Sequence, residues 1–166
     1  SMVSNNENYY NKYNELNRNT NHLIAFLLKN EIIDKKELIQ FNYSNNNIDA
    51  LGVVSKPVIG IVSKGVDIST QHNGIDIACS FNETVHATQK GLVIFSGIFE
   101  DYGNTIILSH NNNYYSLYAH LNKTIVNTHE YVNNNDIIGF AGESGISDGP
   151  HLHFEIWNNH HIIDPR

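Results

Sequence analysis

A single cysteine, Cys79, stands among the 166 residues, which excludes an internal disulfide framework and any cysteine-rich zinc ribbon. That leaves the redox compartment open, and Cys79 itself reads as a small buried hydrophobe. Positive charge is scarce: ten Lys and Arg against seventeen Asp and Glu give a formal charge of −7. With no basic run, the chain is not expected to bind nucleic acid. No apolar run is long enough to cross a bilayer and no secretory leader is recognisable; any export signal is expected outside this chain. There is no internal repeat. No glycine-rich phosphate loop joins a strand to a helix either, and Gly142-Glu143-Ser144-Gly145 reads as a turn.

What is present fits one globular domain with an appendage, since 40% of the residues are apolar and 16% charged. Asparagine runs such as 45–47 and 133–135 fall where turns are expected. Residues 7–30 lack Gly and Pro and carry Tyr9, Tyr13, Leu16, Thr20, Leu23 and Leu27 at alternating steps of four and three, a helical stripe. Asn30 suits the left-handed C-terminal position. Asp34 followed by Glu37 resembles a capping box, so 35–41 is a second short helix. The expectation is an N-terminal α-helical hairpin with a polar linker over 42–50, together making a segment 1–50. Such a hairpin packs on the domain or leads into it; the alternative is self-association or partner contact through residues 7–41.

From about residue 53 the character changes. Short runs rich in Val, Ile, Phe and Tyr lie at 58–62, 85–87, 92–99, 105–109, 114–120 and 137–141, with Gly, Asn and Asp between them. This pattern predicts a mainly β fold over 51–166, an antiparallel sandwich or partial barrel.

The chemistry gathers in three pieces. Gly149-Pro150-His151-Leu152-His153-Phe154-Glu155-Ile156 alternates as a strand, placing His151, His153 and Glu155 on one face and Leu152, Phe154 and Ile156 on the other. His72-Asn73-Gly74-Ile75-Asp76 puts an imidazole and a carboxylate on a turn entering a strand, from which both can converge on one ion. Tyr118-Ala119-His120-Leu121 ends a strand, with Tyr118 and His120 expected on a shared face. His72, Asp76 and one histidine of the strand pair make a site of two nitrogens and one oxygen. Three protein ligands with an open fourth position are what catalytic zinc requires, and such a centre suits amide hydrolysis. Two histidines remain for proton transfer and oxyanion stabilisation.

In these three motifs, in Gly91-Leu92-Val93-Ile94-Phe95-Ser96-Gly97 and Tyr102-Gly103-Asn104, and in the ending Ile163-Asp164-Pro165, residues 56–166 resemble the LytM/lysostaphin-type zinc metallopeptidases, which cut peptide bonds in bacterial peptidoglycan. The resemblance implies an antiparallel β-sheet domain with a groove across it for an extended peptide. It implies His72, Asp76 and His153 as Zn2+ ligands, and His120 and His151 as catalytic histidines outside the ligand set. The spacing of the strand alone leaves His151 and His153 interchangeable; the family pattern selects between them. Peptidoglycan peptide as substrate and a periplasmic or extracellular place in the cell envelope follow from the same likeness. Some members of that family are non-catalytic or latent scaffolds that bind a partner or the wall, and this is the rival reading. His129 and Asn135 stand where the family has glycine, and both are expected in turns away from the metal. His110 is expected at a hairpin surface, His86, His129, His160 and His161 in solvent, and His22 on the polar part of the helix. Glu155 either orients a ligand or pairs with a neighbour, and Trp157 lines the groove or covers the sheet end.

Overall fold

The computed structural model describes residues 54–158 and 161–166; the helical hairpin and linker expected over 1–50 lie outside them. The β-rich stretch forms strands β1 Ile61–Lys64, β2 Ile75–Ala78, β3 Thr84–His86, β4 Gly91–Ile98, β5 Asn104–Ser109, β6 Tyr114–Thr124, β7 Tyr131–Val132, β8 Ile137–Ala141, β9 His151–Asn158 and β10 His161–Ile163. Every pairing among the described residues is antiparallel, in the order β1-β2-β9-β6-β5-β4-β7, with β10 beside β9 and β3 reaching β6 through β8. The fold is a mainly antiparallel β-sheet.

Alternation decides what each strand buries. On one face Ile75 and Ile77 of β2, Leu152, Phe154 and Ile156 of β9, Tyr118 of β6 and Ile106 and Leu108 of β5 form the core with Val85, Val93 and Ile138. On the other face a cross-strand row runs Phe95, Ile107, Leu117, Glu155 across β4, β5, β6 and β9. That row is apolar until its last member. The division expected for β9 is the observed one.

The central strand β6 breaks its own alternation. Asn104 opposes Leu121 while Ile106 opposes Tyr118, so two residues of β6 stand against one of β5. This bulge holds His120 at φ 59. Tyr118 therefore enters the core, and His120 joins the opposite side, correcting the expectation that they share a face. Bulges beside active sites re-aim side chains in this way.

His129 and Asn135 both adopt positive φ, 75° and 70°. Asn tolerates that region; an imidazole-bearing residue is strained there by roughly 1–2 kcal/mol. Glycine at 129 relieves the strain and returns part of the gain as unfolded-state entropy, about 0.5–1 kcal/mol. His129→Gly is thus expected to raise the melting temperature by roughly 2 °C. An unchanged or lower melting temperature would show that the His129 side chain stabilises its turn.

Candidate metal centre

The first motif is held open by a small turn. Asp67 and His72 exchange backbone hydrogen bonds at 2.9 Å, and Asp67 Oδ1 accepts from Ser69 N at 3.0 Å. Gly74 then lets the chain pass against β9: a Cβ there would lie 2.3 Å from the Phe154 carbonyl oxygen. No other side chain fits without moving the strands apart. That close approach sets Asp76 directly opposite His153 in the β2–β9 ladder.

Around Asp76 three side chains converge. His153 Nδ1 lies 2.8 Å and His72 Nε2 3.0 Å from Asp76 Oδ1, and one donor atom from each of the three lies within 4.8 Å of the others. His72 Nδ1 donates to the Gly65 carbonyl at 2.7 Å, since a carbonyl can only accept. In the neutral form its Nε2 then carries the lone pair, and that buried atom has no hydrogen-bond partner of sound geometry despite its proximity to Asp76. A lone pair, a carboxylate and a second imidazole aimed at one point fit a divalent metal ion. Burial works to raise the Asp76 pKa, but hydrogen bonding to His153 Nδ1 at 2.8 Å counters it, and the carboxyl is held well below its usual range.

The other two histidines face the same cleft. His120 Nδ1 donates to the Ser144 carbonyl at 2.8 Å, and His151 Nδ1 to the Gly149 carbonyl at 2.8 Å. Both are thereby fixed with a free Nε2 in the neutral form. Their ring centroids are 4.7 Å apart. Burial, assisted by the neighbouring His151 and His153 and opposed by the Ser144 carbonyl, lowers the His120 pKa to about 4. At neutral pH it holds no charge and can accept a proton. His151 Nε2 stands 3.8 Å from Asp76 Oδ1, outside the cluster of donor atoms but beside it. The cleft above these residues measures about 590 Å3, with Ser63, Lys64, Asp101, Ile146 and Asp148 on its walls.

All five expected site residues thus come together. Two groups reached the site without an assigned role. Ser144 sits in a segment that reads only as a turn, and it anchors His120 through its carbonyl. Tyr102 lies in the Tyr102-Gly103-Asn104 stretch, and its hydroxyl donates to Glu155 Oε1 at 2.7 Å. Trp157 is buried, donating to Glu155 Oε2 at 2.6 Å, and is not among the residues lining the cleft. His110 also departs from expectation. It is 4% exposed, donates from Nδ1 to the Lys90 carbonyl at 2.8 Å and reaches Ser116 Oγ from Nε2 at 2.7 Å. Its expected turn exists at Asn111–Asn113, but the His110 ring is tied to Lys90 in the β3–β4 connection and to Ser116 of β6. His86 is half-buried, bonded to the Asn135 carbonyl and to Thr84 Oγ1.

The profile described as Peptidase family M23 matches residues 70–165, which include all five residues. The peptidoglycan DD-endopeptidase ShyA of Vibrio cholerae is 34% identical over 85 residues, 51% of this chain and 20% of that protein. The murein hydrolase activator NlpD of Salmonella typhimurium is 37% identical over 95 residues, 57% of this chain and 25% of that one. The matches thus span a quarter or less of these curated relatives. Among solved structures, a zinc containing peptidase from Vibrio cholerae superposes with a TM-score of 0.59 at 32% identity, over 68% of this chain and 37% of the other.

Proposed function

The chain belongs to peptidase family M23, and from that premise we propose that it is a zinc-dependent endopeptidase hydrolysing peptide bonds of peptidoglycan, in the periplasm or outside the cell. One observation carries the reading. Three metal-compatible donor atoms converge within 4.8 Å, beside two further imidazoles tethered so that each has a free Nε2. In this reading His72 Nε2, Asp76 Oδ1 and His153 Nδ1 hold the zinc. When bound, zinc polarises a carbonyl and makes water a nucleophile near neutral pH. An extended peptide lies in the cleft. His120 and His151 then divide the remaining work at their Nε2 atoms: one, as neutral imidazole, receives the proton of the attacking water, and the other, protonated on both nitrogens, donates a hydrogen bond to the oxygen on which charge develops.

Peptidoglycan as the substrate rests on the relative named as a peptidoglycan DD-endopeptidase. A second reading has its own support, because another relative is named as an activator of murein hydrolases. In that case the cleft binds a partner or wall fragment without cutting it. The retained donors and paired imidazoles favour the enzyme. The deciding experiment combines zinc analysis with digestion of purified peptidoglycan, with and without a chelator. We expect about one zinc per chain and soluble fragments bearing new amino termini, both lost to the chelator and restored by added zinc. Zinc binding with no cleavage at any enzyme concentration would turn the reading to the activator class. Cleavage that is indifferent to complete metal removal would sink the zinc mechanism.

A further inference from the structure

Glu155 poses a problem that the proposed reaction leaves unanswered. It is 1% exposed and closes the row of Phe95, Ile107 and Leu117. A carboxylate there is strongly unfavourable unless fully paired. Three donors meet it: His153 Nε2 at 2.8 Å and the Tyr102 hydroxyl at 2.7 Å on Oε1, and Trp157 Nε1 at 2.6 Å on Oε2. They hold it ionised against its burial. Two donors beyond His153 fix the plane of the carboxylate as well as its charge. Oε1 then points at His153 Nε2 at the same 2.8 Å at which Asp76 Oδ1 faces Nδ1, so with a metal on the Nδ1 lone pair the remaining proton of the neutral imidazole belongs on Nε2, against Glu155.

Tyr102 adds a second link. It ends the short turn Glu100–Tyr102 between β4 and β5. Its ring stacks on Phe99 at 5.2 Å and 12° and lies nearly parallel to His120 at 6.4 Å and 17°. One residue thus packs its ring beside a proposed catalytic imidazole and, with centroids 5.3 Å apart, beside the proposed ligand His153, and it reaches that ligand again through Glu155. Burial, with the Glu155 charge beside it, pushes the Tyr102 pKa far above its ordinary value, so the hydroxyl stays a donor. Asp76 and Glu155 also flank His153 with two negative charges, which suits a divalent cation.

We propose that Tyr102 and Glu155 are positioning residues for the metal: the Tyr102 hydroxyl orients Glu155, and Glu155 fixes His153 with its proton on Nε2 and its Nδ1 lone pair on the ion. The inference rests on the zinc reading above, so wild-type zinc binding is measured in the same series. Zinc affinity is determined by competition with a chromophoric chelator for wild type, Tyr102→Phe, Trp157→Phe and, as a control, Tyr131→Phe. Tyr131 is 83% exposed and lies on β7. Tyr102→Phe keeps the ring stacking and loses only the hydroxyl. Its zinc affinity is expected to fall about tenfold or more, and that of Trp157→Phe by a few-fold to tenfold. The control should match wild type. Nitrogen-15 spectra of the zinc-loaded wild type should show His153 protonated at Nε2, and that proton should exchange with water faster in Tyr102→Phe.

Failure of the wild type to bind zinc would overturn the zinc reading itself. Wild-type binding with unaltered affinity in Tyr102→Phe and Trp157→Phe would overturn the positioning role alone, whatever the melting temperatures. A wild-type spectrum with no proton on His153 Nε2 would do the same. If Tyr102→Phe does not fold, Trp157→Phe and the wild-type spectrum still decide.

Discussion

Alanine in place of His151 is expected to lower peptidoglycan cleavage by about 10²–10⁴-fold, the usual worth of a positioned proton-transfer group, while zinc stays bound. The geometry separates the two effects. His151 Nε2 stands 3.8 Å from Asp76 Oδ1, whereas the three donors of His72, Asp76 and His153 lie within 4.8 Å of one another and survive the change. The His151 backbone also remains fixed, because its N–H donates to the Gly142 carbonyl at 3.1 Å and its neighbours Leu152 and Phe154 sit in the core. His153→Ala should behave in the opposite way, losing zinc first and activity with it. The measurements are zinc content per chain and the initial rate of fragment release for each variant. A His151→Ala protein that has lost its zinc, or a His153→Ala protein that has kept it, would break the assignment of roles.

The reach of the sequence can be judged at individual residues. β9 was legible because strict alternation of apolar and polar residues survives in the structure: Leu152, Phe154 and Ile156 are core, and His153 and Glu155 share the other face. Asp76 opposite His153 was legible only as convergence, since cross-strand register depends on how closely β2 approaches β9. The reason is the Gly74 contact with the Phe154 carbonyl, a tertiary fact. His120 defeated the alternation rule because a bulge gives it φ 59, and a bulge leaves little trace when its residue is not glycine. The conformations of His129 and Asn135 were foreshadowed by the glycines that the family pattern has there, not by the residues themselves. His110 shows the converse limit. A histidine beside three asparagines reads as surface, yet the fold closes over it and supplies Lys90 and Ser116 as partners. Tyr102 belongs to a recognisable stretch, but its role depends on a carboxylate 53 residues away in sequence.

The His153 environment makes one further result quantitative: zinc affinity should rise about tenfold per pH unit through the neutral range and level off near pH 9. Burial alone would push the His153 pKa below its usual 6.5, but hydrogen bonds to Asp76 and Glu155, reinforced by their charges, raise it to about 9. In the metal-free protein the imidazole is thus protonated at neutral pH, held between two carboxylates. A metal needs the Nδ1 lone pair, so each ion bound below that pKa displaces one proton from His153. Asp76 adds no slope, because its carboxyl is already ionised well below this range. Between pH 8 and pH 6 the apparent affinity should therefore fall about 100-fold from this residue alone. The same proton has the opposite effect on the metal-free fold. Since the folded pKa lies above the unfolded value of 6.5, its stabilising contribution is complete below pH 6.5 and is lost as pH rises through 9. Chelator competition at pH 6, 7 and 8, with calorimetry in buffers of different ionisation enthalpy, measures slope and proton release together. Affinity that is flat across that range, with no proton released, would mean that His153 is already neutral before the metal arrives. The two carboxylates would then be held in place by the ion and not by the histidine.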